Sequence, residues 1–557
     1  MNRRELIKNI AFTSMGLSAL EAPAEPAAAV QSAESAERPA VPRSGNRLVE
    51  IADACKPVLH RELHVLVSEV RPVQNPAAYL RWEMKTVGMA AGLEKKLLRT
   101  GDTIYLDFGR HITGYLHFDV EALGLNIDSP CRVRITYGEV PSDVAENFYP
   151  YKGELSAAWL PDEMENLDPF PLAYAAQRRH AFRYVKIEIL AMSHKFSVRF
   201  SNCRVEGVSS AIGVPAPLPA GTAAELVTID RVALNTLKDC MQTVFEDGPR
   251  RDQRLWIGDF RLQALASYVS YQNLALVKRC LYLLAAYPQK DGMLSACVFE
   301  KPTPHLSGDV ILDYAAIYNI ALAEYYEQSR DEATVRDLWP VALLQMDLIG
   351  KYFNESGVFV DPGNIWIFID WEKTLHCDAA LQGVVLCALR STIVLASVVG
   401  DETAAKRLTA LREKLLAGAR EAFYDRERKL FVSGPERQVS WASQAWLTLA
   451  GVLQRDEVVE VLRRALSEQR MVAPGTPYLN HYVVEALMSA GLEAEAEKLI
   501  ASYWGGMVAR GADTFWEVYS PDDSLASPYG DPHINSYCHA WSCTATYFLR
   551  AKLRSAS

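Results

Sequence analysis

The sequence predicts a multidomain α and β protein in which an N-terminal antiparallel β-sandwich is followed by an (α/α)6 barrel, a toroid of six helical hairpins. Three observations support this: apolar and polar residues alternate between residues 49 and 210, helical periodicity begins after Gly221, and chemically rich loops precede alternate helices. The chain has 557 residues, of which 49% are hydrophobic and 23% charged, so it can bury cores of this size.

The first 48 residues are predicted to precede the folded domains. Arg3 and Arg4 stand before a weakly apolar stretch, and small residues at 27–29 offer a cleavage site, a pattern that resembles a twin-arginine export signal. We therefore expect a signal peptide over residues 1–30, a disordered linker over residues 31–48, and export to the periplasm or the cell exterior. An ordinary basic N-terminus is the alternative. The apolar stretch is too short and too polar for a stable membrane span.

Residues 49–210 show the pattern of a β-sandwich. Apolar and polar residues alternate in runs such as 103–108, 114–120 and 131–137, and glycine or proline separates the runs. Each such strand has one apolar face, and two apolar faces packed together form a sandwich. The stretch 214–221, rich in proline and alanine, then links this domain to a second one within residues 211–557.

The second domain is predicted to be helical throughout. Its apolar residues recur with helical period in twelve stretches: 222–243, 259–271, 273–287, 309–329, 331–353, 375–399, 402–422, 440–453, 455–468, 478–490, 493–504 and 535–553. Twelve helices in sequential pairs indicate six hairpins closed into a ring. A superhelical repeat array is the other all-helical solution, but the sequence lacks the short repeat that such an array requires.

Composition and motifs narrow the class of function. The formal net charge is -10 with both signs mixed along the chain, which argues against a nucleic-acid partner. The ten cysteines contain no Cys-x-x-Cys pair, and we read most of them as buried thiols. His533 and His539 do not have a standard zinc spacing, and no nucleotide-binding glycine motif occurs, so we expect neither a metal nor a cofactor.

The segment 247–259 carries the strongest functional signal. It holds the carboxylates Asp247, Asp252 and Asp259 together with three arginines and Trp256, between two helical stretches. Such side chains on a loop of a rigid scaffold are typical of a binding or catalytic site, so we interpret the segment as the rim of a pocket for a hydroxyl-rich molecule. The alternative is a salt-bridge cluster that closes a helix end.

Further loops repeat this composition. Asp370 lies between bulky aromatic residues, Glu517 follows Trp516, and His539 begins the last helical stretch. Carboxylates in aromatic loops that are distant in sequence suit glycoside hydrolysis, which needs one protonated acid and one ionised carboxylate. The residue pattern alone leaves open which carboxylate is the acid and which is the base.

At these motifs the chain resembles glycoside hydrolase family 78, the α-L-rhamnosidases, within the six-hairpin glycosidases. Segment 247–259 resembles the family's Asp-x-Pro-x-Arg and Trp-x-Gly-Asp pattern, and segment 514–517 resembles its Thr-x-Trp-Glu motif. Segments 106–115 and 536–541 are similar to its accessory-domain strand and to the start of its closing helix.

The resemblance implies an inverting exo-glycosidase with Asp252 as general acid and Glu517 as general base. The substrate-binding residues that we carry over or infer from the loops are Asp247, Arg251, Trp256, Asp259, Asp370, Trp371, Trp516 and His539. The chain departs from the family at Gln253, since the family usually has its acidic Glu in an Arg-Asp-Glu run. If Gln253 occupies the acid position, the acid is missing, but the spacing to the tryptophan and aspartate that follow favours Asp252.

We therefore expect an oligosaccharide or polysaccharide substrate from which terminal α-L-rhamnose is released. Two alternatives remain open. The three arginines of segment 247–259 are compatible with a glycosidase or lyase for another sugar, such as a uronate. A silent carbohydrate-binding protein would follow if Gln253 stood at the acid position. The sequence does not decide the oligomeric state.

Overall fold

A computed structural model of the chain describes residues 46–556, with side chains to residue 551. The predicted signal peptide and most of the predicted linker lie outside the described residues. The first element is the helix α1 (Arg47–Ala54), where the strand-like pattern was expected to begin. Its N-cap Asn46 donates to Ala286 O at 3.2 Å, and Arg279 donates to Ala52 O at 2.6 Å. This helix therefore packs on the helical domain, which explains why it does not join the sheet.

The N-terminal domain is built on a nine-stranded sheet in which every strand pair is antiparallel. The hydrogen-bonded order is β1-β9-β4-β8-β5-β6, with β2 and β7 also on β4 and with β3 on β2. The strands are β1 (His60–Val65), β2 (Ser68–Gln74), β3 (Trp82–Met89), β4 (Thr103–Gly124), β5 (Cys131–Gly138), β6 (Asp162–Leu167), β7 (Leu172–Ala175), β8 (His180–Ala191) and β9 (Phe196–Ser209). Two short helices, α2 (Ala90–Leu93) and α3 (Pro141–Ala145), follow β3 and β5.

The long strand β4 organises this domain. Its register against β8 shifts between Asp107 and Ile112, where Gly109 adopts a φ of 78°. Before the shift β4 pairs with β2 and β8, and after it with β8, β7 and β9, so one strand serves both parts of the sheet. Alternate residues such as Leu116, Phe118 and Val120 are fully buried, as the alternation predicts.

Twelve helices follow within the described residues. They are α4 (Ala224–Cys240), α5 (Ile257–Tyr268), α6 (Leu274–Ala286), α7 (Leu312–Ser329), α8 (Glu332–Ile349), α9 (Asp378–Val399), α10 (Glu402–Phe423), α11 (Trp441–Ala450), α12 (Arg455–Ser467), α13 (Pro477–Ser489), α14 (Glu493–Ala509) and α15 (Ala545–Ala556). The odd-numbered helices α5 to α13 contact one another in sequence, the turn Ala540–Thr544 before α15 contacts both α13 and α5, and α15 contacts α5. The inner ring is thus closed, and the even-numbered helices pack outside it.

Burial reflects this arrangement. All twelve residues of α5 are buried, as an inner helix requires, whereas the outer helix α12 is strongly amphipathic with only four buried residues. By length and composition the inner helix α9 could cross a membrane, but 61% of its most apolar window is buried in the barrel. The predicted fold class, an N-terminal antiparallel β-sandwich followed by an (α/α)6 barrel, is confirmed by an antiparallel sheet domain that precedes a closed ring of helices.

Short elements line the loops of the barrel. Strands β10 (Leu255–Trp256), β11 (Cys297–Phe299) and β12 (His305–Leu306) form one small sheet, and β13 (Tyr424–Asp425) pairs with β14 (Leu430–Phe431). Single 3-10 turns occur at Tyr79–Arg81, Ala157–Trp159, Gly350–Tyr352, Pro532–Ile534 and Ala540–Thr544. Because β10 leads directly into α5, the segment 247–259 ends at the mouth of the inner ring.

Candidate active site

The segment 247–259 forms a closed loop ahead of α5. The Asp247 backbone N–H donates to Arg254 O at 3.0 Å, and the Arg254 N–H donates back to Asp247 Oδ1 at 3.1 Å. The far end of the barrel closes on the same loop, because the Ala540 N–H donates to Asp247 O at 2.7 Å. Trp256 is the N-cap residue of α5 and Asp259 lies in its first turn. The first and last parts of the barrel therefore build the site together.

Arg251 and Glu517 form a buried ion pair at the centre of this region. Arg251 Nη2 donates to both carboxylate oxygens of Glu517, at 3.0 and 2.9 Å, and the two side chains are 3% and 2% exposed. The Ser536 N–H donates to Glu517 Oε2 at 3.0 Å, and the Tyr529 hydroxyl donates to Glu517 Oε1. The Arg251 guanidinium also lies over the Tyr529 ring, 4.5 Å from its centroid.

Asp252 lies next to the same guanidinium. Its Oδ1 is 3.9 Å from Arg251 Nε, and its side chain is 18% exposed, so it faces the open side of the cluster. Burial alone would raise the pKa of Asp252, but Arg251, Arg254 and hydrogen bonding with Asp247 lower it below its ordinary value. Burial, followed by the charges of Asp252 and Asp259, raises the pKa of Asp247 well above its ordinary value.

Gln253 points away from this cluster. It adopts a φ of 53°, its N–H donates to Gly248 O at 3.2 Å, and its side-chain amide donates to Pro249 O at 2.8 Å. A left-handed residue whose amide is bonded to its own loop shapes the turn. The geometry therefore brings Asp252, and not Gln253, to the guanidinium shared with Glu517.

Asp259 and His539 form a second polar pair. His539 Nε2 lies 3.0 Å from Asp259 Oδ1, both residues are buried, and His539 packs on Trp541 with ring centroids 4.4 Å apart. Burial raises the pKa of Asp259, although His539 opposes the shift. His539 Nδ1 is buried without a hydrogen-bond partner. If Nε2–H donates to Asp259, Nδ1 can accept a hydrogen bond from a hydroxyl group of a ligand.

The predicted residues of the loop before α9 have separate surroundings. Asp370 accepts hydrogen bonds from Trp371 N at 2.9 Å, Gly475 N at 2.6 Å and Thr476 Oγ1 at 2.5 Å. Burial raises the pKa of Asp370 to about 7. Asp370 thus joins two loops, whereas Trp371 contacts the ring of Tyr529 with centroids 5.8 Å apart and has a buried Nε1 without a partner.

The two remaining predicted tryptophans differ in their exposure. Trp516 is 3% exposed and stacks on Tyr79 of the N-terminal domain at 4.4 Å, so its ring has little surface to offer a sugar. Trp256 is partly exposed and packs edge to face on Tyr314, with centroids 6.4 Å apart.

Sequence reasoning missed Tyr529, which contacts Glu517, Arg251 and Trp371. It lies between the helical stretches predicted at 493–504 and 535–553, but nothing in the spacing of that loop distinguishes Tyr529 from the neighbouring tyrosines. The contact depends on how the loop folds back over the barrel.

One cluster among the described residues has the ligand types for a metal ion. The ligand atoms of His111, Asp239 and Cys538 lie within 4.8 Å of one another. His111 Nδ1 is 2.6 Å from Asp239 and Nε2 is 3.0 Å from Glu139, so both ring nitrogens already have carboxylate partners. Burial would lower the pKa of His111, but Cys538 and the two carboxylates raise it well above its ordinary value. These contacts describe an imidazolium between carboxylates that joins the two domains.

Family comparisons cover both domains. A family model described as the glycosyl hydrolase family 78 alpha-rhamnosidase N-terminal domain matches residues 66–207, and one described as the bacterial alpha-L-rhamnosidase 6 hairpin glycosidase domain matches residues 222–553. Comparison with curated protein sequences gives no significant match.

Solved structures agree with this assignment. A rhamnosidase from Klebsiella oxytoca with rhamnose bound is 41% identical to the chain, with a TM-score of 0.89 over 91% of this chain and 98% of that one. A family 78 rhamnosidase of Bacillus sp. GL1 is 21% identical with a TM-score of 0.70, over 85% of this chain and 49% of that one. The Streptomyces avermitilis α-L-rhamnosidase complexed with L-rhamnose is 15% identical with a TM-score of 0.64, over 89% and 44%. The last two show the shared fold.

Proposed function

Because the chain belongs to glycoside hydrolase family 78, the α-L-rhamnosidases with a six-hairpin catalytic domain, we propose that it releases terminal α-L-rhamnose from glycans with inversion at the anomeric carbon. Asp252 acts as the general acid and Glu517 as the general base.

The reaction is a single displacement. Glu517 accepts a proton from a water molecule as the water oxygen attacks the anomeric carbon from the face opposite the leaving group. The bond between the anomeric carbon and the glycosidic oxygen breaks, and Asp252 donates a proton to that oxygen. The products are free L-rhamnose, first in the β configuration, and the shortened glycan with a new hydroxyl. Water supplies the atoms for both products.

The observation that carries this proposal is that Asp252 and Glu517 share one guanidinium. Contacts of 3.9 Å and 2.9 Å to two nitrogens of Arg251 limit the separation of these two oxygens to about 9 Å. An inverting pair needs roughly 6.5–9.5 Å to leave room for the attacking water. Asp252 is also the more exposed of the two, as a residue that meets the glycosidic oxygen must be.

The acid also needs a proton. Burial and the charges of Asp252 and Asp259 raise the pKa of Asp247 well above its ordinary value, whereas Arg251 and Arg254 lower the pKa of Asp252 despite its burial, and we propose that these two carboxyls share one proton. Asp252, the exposed member, delivers this proton to the leaving oxygen, and Asp247 replenishes it. The pair thus meets the demand for a protonated acid although arginines surround Asp252.

Sugar hydroxyls would be recognised by buried polar atoms that have no hydrogen-bond partner among the residues that the structure describes. These atoms are His539 Nδ1, Trp371 Nε1, and Nε and Nη1 of Arg251. An unpaired buried donor or acceptor costs free energy, which a ligand recovers by pairing with it. The ring of Trp371 offers an apolar surface for the C6 methyl group of rhamnose.

The uronate alternative receives less support. Arg250 binds Asp143 at 2.7 and 3.0 Å and His533 O at 2.7 Å, and Arg251 is paired with Glu517. Arg254 lies over the Phe299 ring, 4.2 Å from its centroid. A substrate carboxylate would therefore compete with existing partners for at least two of these arginines.

The test is turnover of p-nitrophenyl α-L-rhamnoside, with proton NMR to identify the first anomer released. We expect β-L-rhamnose first, and a fall of at least about 100-fold in kcat for Glu517→Gln. Asp252→Asn should slow a rhamnosyl disaccharide more than an activated aryl rhamnoside, because only the poor leaving group needs the acid. First release of the α anomer, or equal losses on both substrates, would contradict the mechanism.

We also propose that the chain is exported by the twin-arginine route. The support is the sequence pattern around Arg3 and Arg4. Fractionation of cells that express the full chain should place activity outside the cytoplasm, and the Arg3→Lys and Arg4→Lys double variant should retain it inside.

A further inference from the structure

Tyr529 occupies a position between the base and the N-terminal domain. Its hydroxyl donates to Glu517 Oε1, accepts from Arg251 Nη2 at 3.3 Å, and its ring lies under the Arg251 guanidinium. A carboxylate held by donors on both oxygens is restricted to one rotamer. Tyr529 therefore restrains the orientation of Glu517 from the side opposite Ser536.

The N-terminal domain holds Tyr529 in turn. The segment 146–160, between α3 and β6, reaches over the barrel, and the Glu154 N–H donates to Tyr529 O at 2.8 Å. Phe148, Leu160 and Ile534 are buried together in a small apolar cluster that also contacts the Tyr529 side chain.

A second set of contacts anchors the same segment to the loop that carries Tyr529. His533 Nε2 lies 3.0 Å from Glu146 Oε2, and the His533 ring packs on Phe148 with centroids 5.2 Å apart. Apolar, ionic and backbone contacts therefore all join segment 146–160 to loop 520–534. A loop restrained by a neighbouring domain in this way loses less entropy when it must hold a reactive group.

We propose that Tyr529 is a positioning residue for the base Glu517, and that segment 146–160 of the N-terminal domain holds Tyr529 in place. This inference rests on the proposed function, because it assigns a role relative to the base of that reaction. The N-terminal domain then contributes to the catalytic rate through a chain of contacts that ends at one carboxylate.

The first test is Tyr529→Phe, which keeps the ring over Arg251 and removes only the hydroxyl. We expect kcat on p-nitrophenyl α-L-rhamnoside to fall about 10- to 100-fold, with KM changed less than about threefold, since small displacements of a reacting group cost rate. Tyr424→Phe, which removes a hydroxyl from the distant β13–β14 hairpin, is the matched control and should leave both constants unchanged. A Tyr529→Phe enzyme within about twofold of wild-type kcat would overturn the proposal.

The second test asks whether the N-terminal segment acts through Tyr529. Phe148→Ala should lower kcat, and the double variant should be no more than about twofold slower than Tyr529→Phe alone, because both changes release the same carboxylate. Leu155→Ala is the milder variant of the same cluster if Phe148→Ala does not fold. Phe170→Ala, elsewhere in the N-terminal domain, controls for general loss of packing. Losses that multiply in the double variant would remove segment 146–160 from the proposal.

A crystal structure of Tyr529→Phe separates this inference from the proposed function. A second rotamer or raised mobility of the Glu517 carboxylate supports the positioning role, and an unchanged carboxylate overturns it. If the wild-type enzyme does not hydrolyse rhamnosides, the proposed function fails, and the crystal structure alone decides whether Tyr529 positions Glu517.

Discussion

The buried pair of Arg251 and Glu517 allows a quantitative test. Arg251→Met keeps the aliphatic stem but leaves the Glu517 carboxylate, 2% exposed, without the guanidinium that contacts both of its oxygens. Removing one partner of a buried pair costs about 3–5 kcal/mol of unfolding free energy. The contact of Arg251 with the more exposed Asp252, at 3.9 Å, adds no more than about 1 kcal/mol.

The assay is a double-mutant cycle in urea, followed by tryptophan fluorescence and circular dichroism. Glu517→Gln alone should cost less than Arg251→Met, because the guanidinium keeps Asp252 and the Tyr529 ring as partners. The double variant lacks the stranded charge, so we expect it to be more stable than the sum of the single losses by about 2 kcal/mol or more. Losses that add within about 0.5 kcal/mol would refute the claim that these two charges are coupled.

Three further predictions concern positions around the site. A Cβ at Gly258 would lie 2.4 Å from Cζ of the buried Tyr314, so Gly258→Ala should lower the free energy of unfolding by about 1–3 kcal/mol and should also lower kcat/KM. Gly350→Ala is the control, because the nearest atom to its Cβ would be 3.9 Å away. Thermal melts and rate assays should show no change in stability or in kcat/KM for the control. Since burial raises the pKa of Asp370 to about 7, folding takes up a proton there, and stability should fall by up to about 4 kcal/mol as pH rises from about 4 to about 7. The urea midpoint of Asp370→Asn should fall less than that of the wild-type protein as the pH rises through this range. If both midpoints fall equally with pH, the raised pKa of Asp370 is contradicted. Trp371→Phe should weaken rhamnose binding about 3- to 10-fold by calorimetry if its unpartnered Nε1 donates to the sugar, and unchanged affinity would exclude that contact.

Much of the fold could be predicted because local periodicity reports burial. The stretch 331–353 was predicted to be helical and contains α8 (Glu332–Ile349), and 493–504 lies inside α14 (Glu493–Ala509). The stretch 535–553 was less well predicted, since only its last part is the helix α15 and its first part is loop and 3-10 turn. That region carries His539, whose backbone N–H donates to Phe515 O at 2.8 Å, so a contact with a distant loop replaces a helical hydrogen bond.

The sequence predicts which residues belong to the site, but it does not predict which of them form ion pairs with one another. The prediction placed Asp259 and His539 together as substrate-binding residues, and the structure puts them in contact. It named Arg251 as a substrate-binding residue and assigned no partner to either arginine, whereas the structure pairs Arg250 with Asp143 of the N-terminal domain and Arg251 with Glu517. Ion-pair partners more than a hundred residues away leave no local pattern in the sequence.

These adjacent arginines pair in different directions, Arg250 with the N-terminal domain and Arg251 with Glu517 of the site. The interface between the two domains therefore helps to position the residues of the site. Arg250 has both Asp143 oxygens and the carbonyl of His533 as partners, so its guanidinium is fixed from two sides. Because Arg251 follows directly in the chain, docking of the N-terminal domain on Arg250 also limits where the Arg251 backbone can lie. The same docking surface continues through His533 to the loop of Tyr529, which reaches Glu517 from the other side. The N-terminal domain thus restrains both the loop that carries the proposed acid and the loop that covers the proposed base, and a change at their interface should alter catalysis before it unfolds either domain.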